Sequence, residues 1–148
     1  MTLDRRRTAR ELAMQALCQL DVQGEAVRGM LPIFFRQETD DPMTLKLAEE
    51  WTQGVWQRID ECDRIIAQAA IRWKLSRLSM VDRAILRLAV WQLRHCADMP
   101  QKVVLNEAIE IAKKYSSEQS PRFINGVLDA VMKNLNLSAN NSVTEEAT

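Results

Sequence analysis

The sequence predicts an all-α fold, and three observations carry that prediction. Apolar residues recur at steps of three and four from one end of the chain to the other. Glycine and proline number only four each, and alternating Val/Ile/Thr runs of the strand type are scarce. The 148 residues are 47% apolar, enough for the interior of one ordinary domain or of two small subdomains sharing a core.

The elements follow in order. Over residues 8–21, Leu12, Ala13, Ala16, Leu17 and Leu20 gather into one stripe at about 100° per residue. Arg6, Arg7 and Arg10 fall on its flank, and Met14 and Cys18 continue the Arg7 row. The packed stripe is expected to hold this helix still while guanidinium groups face outward along one edge. Gly24 ends the segment. A weaker helix over 26–36 carries Met30, Leu31, Phe34 and Phe35, with Gly29 and Pro32 interrupting it. Thr39-Asp40-Asp41-Pro42 is a loop that also offers a helix start. From 44 to 73, Ala48, Trp51, Val55, Ile59, Cys62, Ile66, Ala69 and Trp73 recur at helical spacing. That pattern fits one long helix or two joined by a break near Asp60, and ordinary helix lengths favour the break.

Ser79 is a good N-cap, with Asp82 three residues on, and opens a helix running to about His95. That helix is apolar around most of its circumference and belongs in the middle of a bundle. Asp98 and Pro100 open the next helix, whose stripe is Val104, Ala108, Ile111, Ala112 and Tyr115. Ser120-Pro121 opens the last, lined by Ile124, Val127, Leu128, Val131 and Leu135. Gly126 within it costs about 1 kcal/mol relative to alanine, and a close helix contact is the expected compensation. Composition divides the chain into a helical domain over 1–136 and a polar tail over 137–148 that is expected to be disordered.

Lys plus Arg and Asp plus Glu are 20 each, so the field of the whole molecule does not favour nucleic acid, and any such binding must come from a patch. Arg5, Arg6, Arg7 and Arg10 form the one evident cationic cluster. Guanidinium forks match phosphate oxygens in charge and in bidentate geometry, which makes RNA the first functional idea. Short arginine runs near a terminus are also often just solvated, and the cluster alone slightly favours that reading.

Tyr115 and Phe123 are the aromatic candidates for base stacking. Between them lies the polar loop Ser116-Ser117-Glu118-Gln119-Ser120, and the start of the last helix adds amide donors. Spacing alone favours a packing role for both rings.

No catalytic constellation is visible. His95 is the one histidine, and the pairs Glu49-Glu50, Asp40-Asp41 and Glu107/Glu110 read as solvated faces. Cys18, Cys62 and Cys96 are odd in number and lack C-x-x-C spacing, so no zinc site, other metal site or disulfide is expected. They read as small buried hydrophobes in a reducing cytosol, which points to a cytoplasmic protein. The N-terminus is charged and lacks an apolar signal segment. The longest apolar run, 84–93, is broken by Arg87 and Gln92, so no membrane span is expected.

Four segments in register carry a resemblance. They are Arg6-Arg7-Thr8-Ala9-Arg10-Glu11-Leu12-Ala13-Met14-Gln15-Ala16-Leu17, Asp82-Arg83-Ala84-Ile85-Leu86-Arg87-Leu88-Ala89, Pro100 to Val104 followed by Asn106-Glu107-Ala108-Ile109-Glu110-Ile111-Ala112-Lys113, and Phe123-Ile124-Asn125-Gly126-Val127-Leu128-Asp129. Together they resemble the NusB family of bacterial transcription antitermination factors, over nearly the whole chain before the tail. The resemblance implies about seven helices in two three-helix bundles around a long central helix, with no catalytic activity and no cofactor. It implies pairing with NusE, a small-subunit ribosomal protein, and joint binding of the single-stranded boxA element of nascent RNA. That complex joins others on RNA polymerase and suppresses termination, notably on ribosomal RNA operons.

Residue by residue, the family's arginine-rich segment maps onto Arg6, Arg7 and Arg10, with Arg5 compensating for Thr8 where arginine is frequent. Its RNA-contacting aromatic maps onto Phe123, and Tyr115 and Gln119 lie where that RNA surface would continue. The acidic residue implicated in NusE contact maps onto Asp82, which serves equally as a helix cap. Cys18 stands where the family often has an aromatic, so a partner contact there is altered. Two other readings remain beside this one. The chain is a stand-alone module associated with an RNA cytosine methyltransferase, or a helical scaffold that binds protein alone. A homodimer that buries the arginine face until RNA or NusE competes is a variant of the first reading.

Overall fold

The computed structural model describes the backbone of residues 2–147 and the side chains of residues 5–139. Among the described residues the chain forms α1 (Thr2–Gln23), a 3-10 segment (Gly24–Met30), α2 (Leu31–Glu38), α3 (Pro42–Gln57), α4 (Ile59–Ala69), a second 3-10 turn (Leu75–Arg77), α5 (Met80–His95), α6 (Gln101–Tyr115) and α7 (Ser120–Ala147).

Helix α1 begins well before Thr8, because arginine is itself a good helix former. It gives way at Gly24, whose φ of +70° only glycine adopts cheaply. The weak second helix splits. Its first part is 3-10, and α2 begins at Leu31 with Pro32 in the first turn, where the missing amide leaves no helical bond unmade. Asp41 caps α3: its Oδ2 accepts from the Thr44 amide at 2.9 Å and from the Thr44 hydroxyl at 2.7 Å. Those bonds, with Arg5 nearby, hold its carboxyl below the usual range.

The 44–73 pattern breaks at Arg58, whose φ −120° and ψ 31° leave the helical well. The helix after that break ends at Ala69, so Trp73 does not continue the stripe. It stands in the loop before α5 and is 57% exposed. Ser79 caps α5, its Oγ accepting from the Asp82 amide at 3.1 Å. Pro100 sits at the N-cap of α6, one position before the predicted one. Helix α7 continues to Ala147, across the stretch whose composition favours disorder. Leu137 there is 59% exposed, and the side chains beyond Ala139 lie outside the described residues.

Helix α5 is the centre. Ala84, Ile85, Leu86, Leu88, Ala89 and Val90 are buried on several sides of it. One bundle is α1, α2 and α3; the other is α4, α6 and α7; α5 packs against helices of both. This is the two-bundle arrangement implied by the resemblance. All five residues of the predicted α1 stripe are buried. Each buried leucine of the stripe contributes about 1.5–3 kcal/mol relative to an exposed position.

The centre also holds charge. Arg87 sends Nε and Nη2 to the two oxygens of Asp63 at 2.8 and 2.9 Å, and Nη1 to Asp21 at 3.4 Å. Arg83 bonds the other Asp21 oxygen at 2.6 and 2.9 Å, and also the carbonyls of Leu75 and Leu78. This network joins α1, α4, α5 and the loop that carries Trp73.

The glycine expectation is corrected. A methyl added at Gly126 would meet nothing within 4 Å, because that position is exposed. The close approach is instead at Gly54 on α3, where a Cβ would lie 2.2 Å from the Trp91 ring on α5. Gly126→Ala is therefore expected to raise stability by up to about 1 kcal/mol. Gly54→Ala should lower it by about 1–3 kcal/mol through overpacking. Thermal denaturation of the two variants checks both signs.

Candidate nucleic-acid interface

The arginine edge is only partly the open cationic face that helical spacing predicts. Arg5 is exposed and pairs with Asp41 at 3.3 Å, and Arg6 is half-buried. Arg7 is half-exposed, and its Nε lies 3.0 and 3.1 Å from the two oxygens of Glu107 on α6.

Arg10 differs from the prediction. It is 2% exposed, with its guanidinium over the Trp51 ring at 5.3 Å and its Nη2 3.3 Å from the Met99 sulfur. Its Nε and Nη1 have no hydrogen-bond partner among the described residues. The reason is packing: Arg10 lies at the margin of the apolar stripe beside Leu17, and Trp51 of α3 covers that margin. Burial lowers its pKa, and Glu107 opposes that shift. Arg10 is therefore not an available phosphate contact in this conformation.

Glu11, one turn on from Arg7, continues the seam between α1 and α6. It accepts from Lys114 at 3.1 and 3.2 Å and from the Tyr115 hydroxyl at 3.0 Å. Lys114 in turn sits over the Tyr115 ring at 5.2 Å. The Tyr115 hydroxyl titrates above its ordinary range, through burial and then through Glu11. The ring is half-buried, so Tyr115 both packs and borders the surface, and its polar tip is already engaged.

Asp82 anchors the next stretch. It is 8% exposed and accepts from Ser116 at 2.5 Å and from Ser120 at 2.9 Å. Ser117 lies 2.7 Å from the Ser120 hydroxyl. The loop between α6 and α7 is thus tied to the first turn of α5 through one carboxylate. Each oxygen of Asp82, the residue expected to contact a partner, thus already accepts a hydroxyl bond within the chain. Cys18 is also engaged inside the chain. Its sulfur is buried 3.8 Å from the Met80 carbonyl and 3.9 Å from the Met14 sulfur, and burial followed by Asp21 pushes the thiol up to about 11. It is 9% exposed.

Past the serine loop, Gln119 is exposed and Phe123 is half-buried. Phe123 meets Trp73 edge-on, with centroids 5.5 Å apart and planes at 70°. Trp73 is the surface aromatic that the helical reading missed, having assigned it to a buried stripe. The signal was present in the run Arg72-Trp73-Lys74 with Arg77 close behind, a ring interleaved with cations. All three cations are exposed. Four separate contacts lie between the arginine edge and Phe123, Arg7 with Glu107, Lys114 and Tyr115 with Glu11, Ser116 and Ser120 with Asp82, and Phe123 with Trp73, and neighbouring residues of α1, α6 and α7 connect one to the next along the chain.

Among the described residues no cluster of His, Cys, Asp and Glu has metal-holding geometry, and no helix is long and apolar enough to cross a membrane. The fold defines a small two-bundle helical protein that carries basic and aromatic groups at its surface. The chain belongs to the NusB family, whose model matches residues 7–133. It is 40% identical to transcription antitermination protein NusB of Bacillus subtilis (strain 168) over 134 residues, covering 90% of this chain and 99% of that protein. It is 46% identical to the protein of that name from Anaeromyxobacter dehalogenans (strain 2CP-1), covering 88% and 92%. The fold is similar to T. maritima NusB, with TM-score 0.74 and 34% identity over 86% of this chain and 90% of that one. It is also similar to a chain in a crystal structure of antitermination factors NusB and NusE in complex with dsRNA, with TM-score 0.79 and 26% identity over 88% and 98%.

Proposed function

We propose that this chain binds boxA-type single-stranded RNA together with NusE and helps assemble the antitermination complex on RNA polymerase, notably at ribosomal RNA operons. The observation that carries this reading is the linked seam from Arg7 through Tyr115 and the serine loop to Phe123. Arg5, Arg6 and Arg7 supply phosphate contacts, and Phe123 and Gln119 meet bases. Arg10, Asp82 and Cys18 act from inside, holding α1 and the loop in place. A related chain crystallised with NusE and dsRNA supports both partners. Single strands are favoured here because exposed rings stack on bases that a duplex keeps paired.

The paired state of the edge explains an expected weak affinity for RNA alone. Phosphate must compete with Asp41 for Arg5 and with Glu107 for Arg7. Titration of a boxA-type RNA, with and without NusE and at two salt concentrations, tests the reading. Three arginine contacts give a slope of about −2 in log affinity against log salt. The Arg6→Ala/Arg7→Ala variant should lose about 1.4 of that slope. Unchanged affinity and slope in that variant, or methyl transfer to RNA by the isolated chain, would overturn the proposal. A duplex control separates single-strand from duplex binding.

A further inference from the structure

We propose that the cavity between the end of α1, the first 3-10 segment, α2 and α3 binds one aromatic ring carrying a single uncharged hydroxyl, a phenol. The cavity shares no residue with the seam from Arg7 to Phe123, so the proposal goes beyond the RNA-binding reading and stands or falls apart from it.

The cavity has a volume of about 230 Å³. An apolar cavity of about 150 Å³ takes benzene, so this one has room for a six-membered ring with small substituents. Its walls are Leu20, Leu31, Phe35 and Trp56. Trp56 gives its indole N–H to Glu25 Oε1 at 2.7 Å. That bond uses the one donor of the indole and steadies the ring, leaving its apolar body to the cavity. Apolar and aromatic walls with one or two placed polar groups are the usual make-up of a small-molecule site.

The placed polar group is Thr52. It stands four residues before Trp56 on α3 and shares its face. It is 4% exposed, and its hydroxyl oxygen has no hydrogen-bond partner among the described residues. Glu49 and Gln53 also border the cavity and are exposed, so they mark the mouth and Thr52 marks the inner end. The chemistry of the ligand follows from that inner end. One buried hydroxyl pairs with one polar atom. A carboxylate or an ammonium group there would lose its hydration for a single neutral bond, which does not offset the burial of a charge. A primary amide would bring two N–H donors and an oxygen, more than Thr52 satisfies. A phenol brings one O–H, which gives its hydrogen to Thr52 or accepts one from it. At the mouth Glu49 and Arg28 are of opposite sign, and Arg28 lies 3.5 Å from Glu25, so the outer end of the ligand is not selected by charge.

The test follows the indole N–H signals of the four tryptophans in the full chain by NMR. The protein is titrated with p-cresol and with toluene, which lacks the hydroxyl, and Trp56→Phe identifies the Trp56 signal. p-Cresol should move that signal saturably, with a Kd on the order of 1 mM. Thr52→Val keeps the shape of the side chain and should weaken p-cresol about fivefold while leaving toluene unchanged. Thr52→Ser keeps the hydroxyl and should keep the preference for p-cresol. Melting temperatures confirm that the variants fold. N-acetyltyrosine amide presents the same ring on a peptide unit. Tighter binding than p-cresol assigns the ring to a tyrosine of a partner protein, weaker binding assigns it to a free phenol, and either order upholds the site. No saturable movement of the Trp56 signal with p-cresol up to about 20 mM overturns the cavity as a ring site. An unchanged ratio of p-cresol to toluene affinity in folded Thr52→Val overturns the role given to the hydroxyl.

Discussion

Arg87→Ala is expected to lower the free energy of unfolding by about 3–5 kcal/mol, the range for breaking a buried ion pair from one side. Arg87 is 9% exposed at the middle of α5 and holds Asp63 with two bonds and Asp21 with a third. Burial by itself would depress its pKa, but the bonds and charges of Asp63 and Asp21 outweigh that and hold it above the ordinary value. Removing the guanidinium leaves Asp63 without this partner and leaves Asp21 to Arg83 alone. The loss should appear in urea denaturation as a lower midpoint at an unchanged slope. The double variant Arg87→Met/Asp63→Leu should recover most of it, because apolar replacements of similar volume remove the charges together with their pairing. A single-variant loss below about 1 kcal/mol, the level of an exposed pair, would show that the network is solvated and not buried.

Asp82→Ala is expected to destabilise by about 3 kcal/mol, because two charge-assisted hydrogen bonds disappear and the Ser120 hydroxyl, 2% exposed, is left to the neighbouring serine hydroxyls alone. Asp82→Asn should cost roughly half as much, since its carbonyl oxygen still serves one serine while its amide cannot accept from the other. RNA affinity should fall with the alanine variant, as the loop from Ser116 to Ser120 loses its attachment to α5. These measurements separate two roles for one carboxylate. A residue that acted only by touching NusE would leave the melting temperature unchanged and weaken only the protein–protein association. A folded Asp82→Ala with unaltered melting would sink the clamp described here.

Much of the fold was legible beforehand. The stripe of α1, the Ser79 cap, the break before α4 and the starts of α6 and α7 all depend on residues within a turn of one another. The candidate site was legible only in part. Arg5, Arg6, Arg7 and Phe123 were found at or near the surface, with Phe123 half-buried. Arg10 was misplaced because the flank of a helix was judged without the helix that packs beside it. Trp51, contributed by α3, turned the Arg10 position into interior. Trp73 was misplaced in the other direction. Its spacing continued a buried pattern, yet the helix had already ended at Ala69.

Helix boundaries, caps and apolar faces were decided by the chain itself, because they arise from steric and hydrogen-bonding preferences between residues at most four apart. The surface that remains open was decided by packing. Asp82 meets Ser116 and Ser120, Glu107 meets Arg7, and Trp73 meets Phe123 only after α5, α6 and α7 have come together. Whether a charge is spent inside the molecule or left to a ligand depends on such distant partners, and local periodicity carries no record of them.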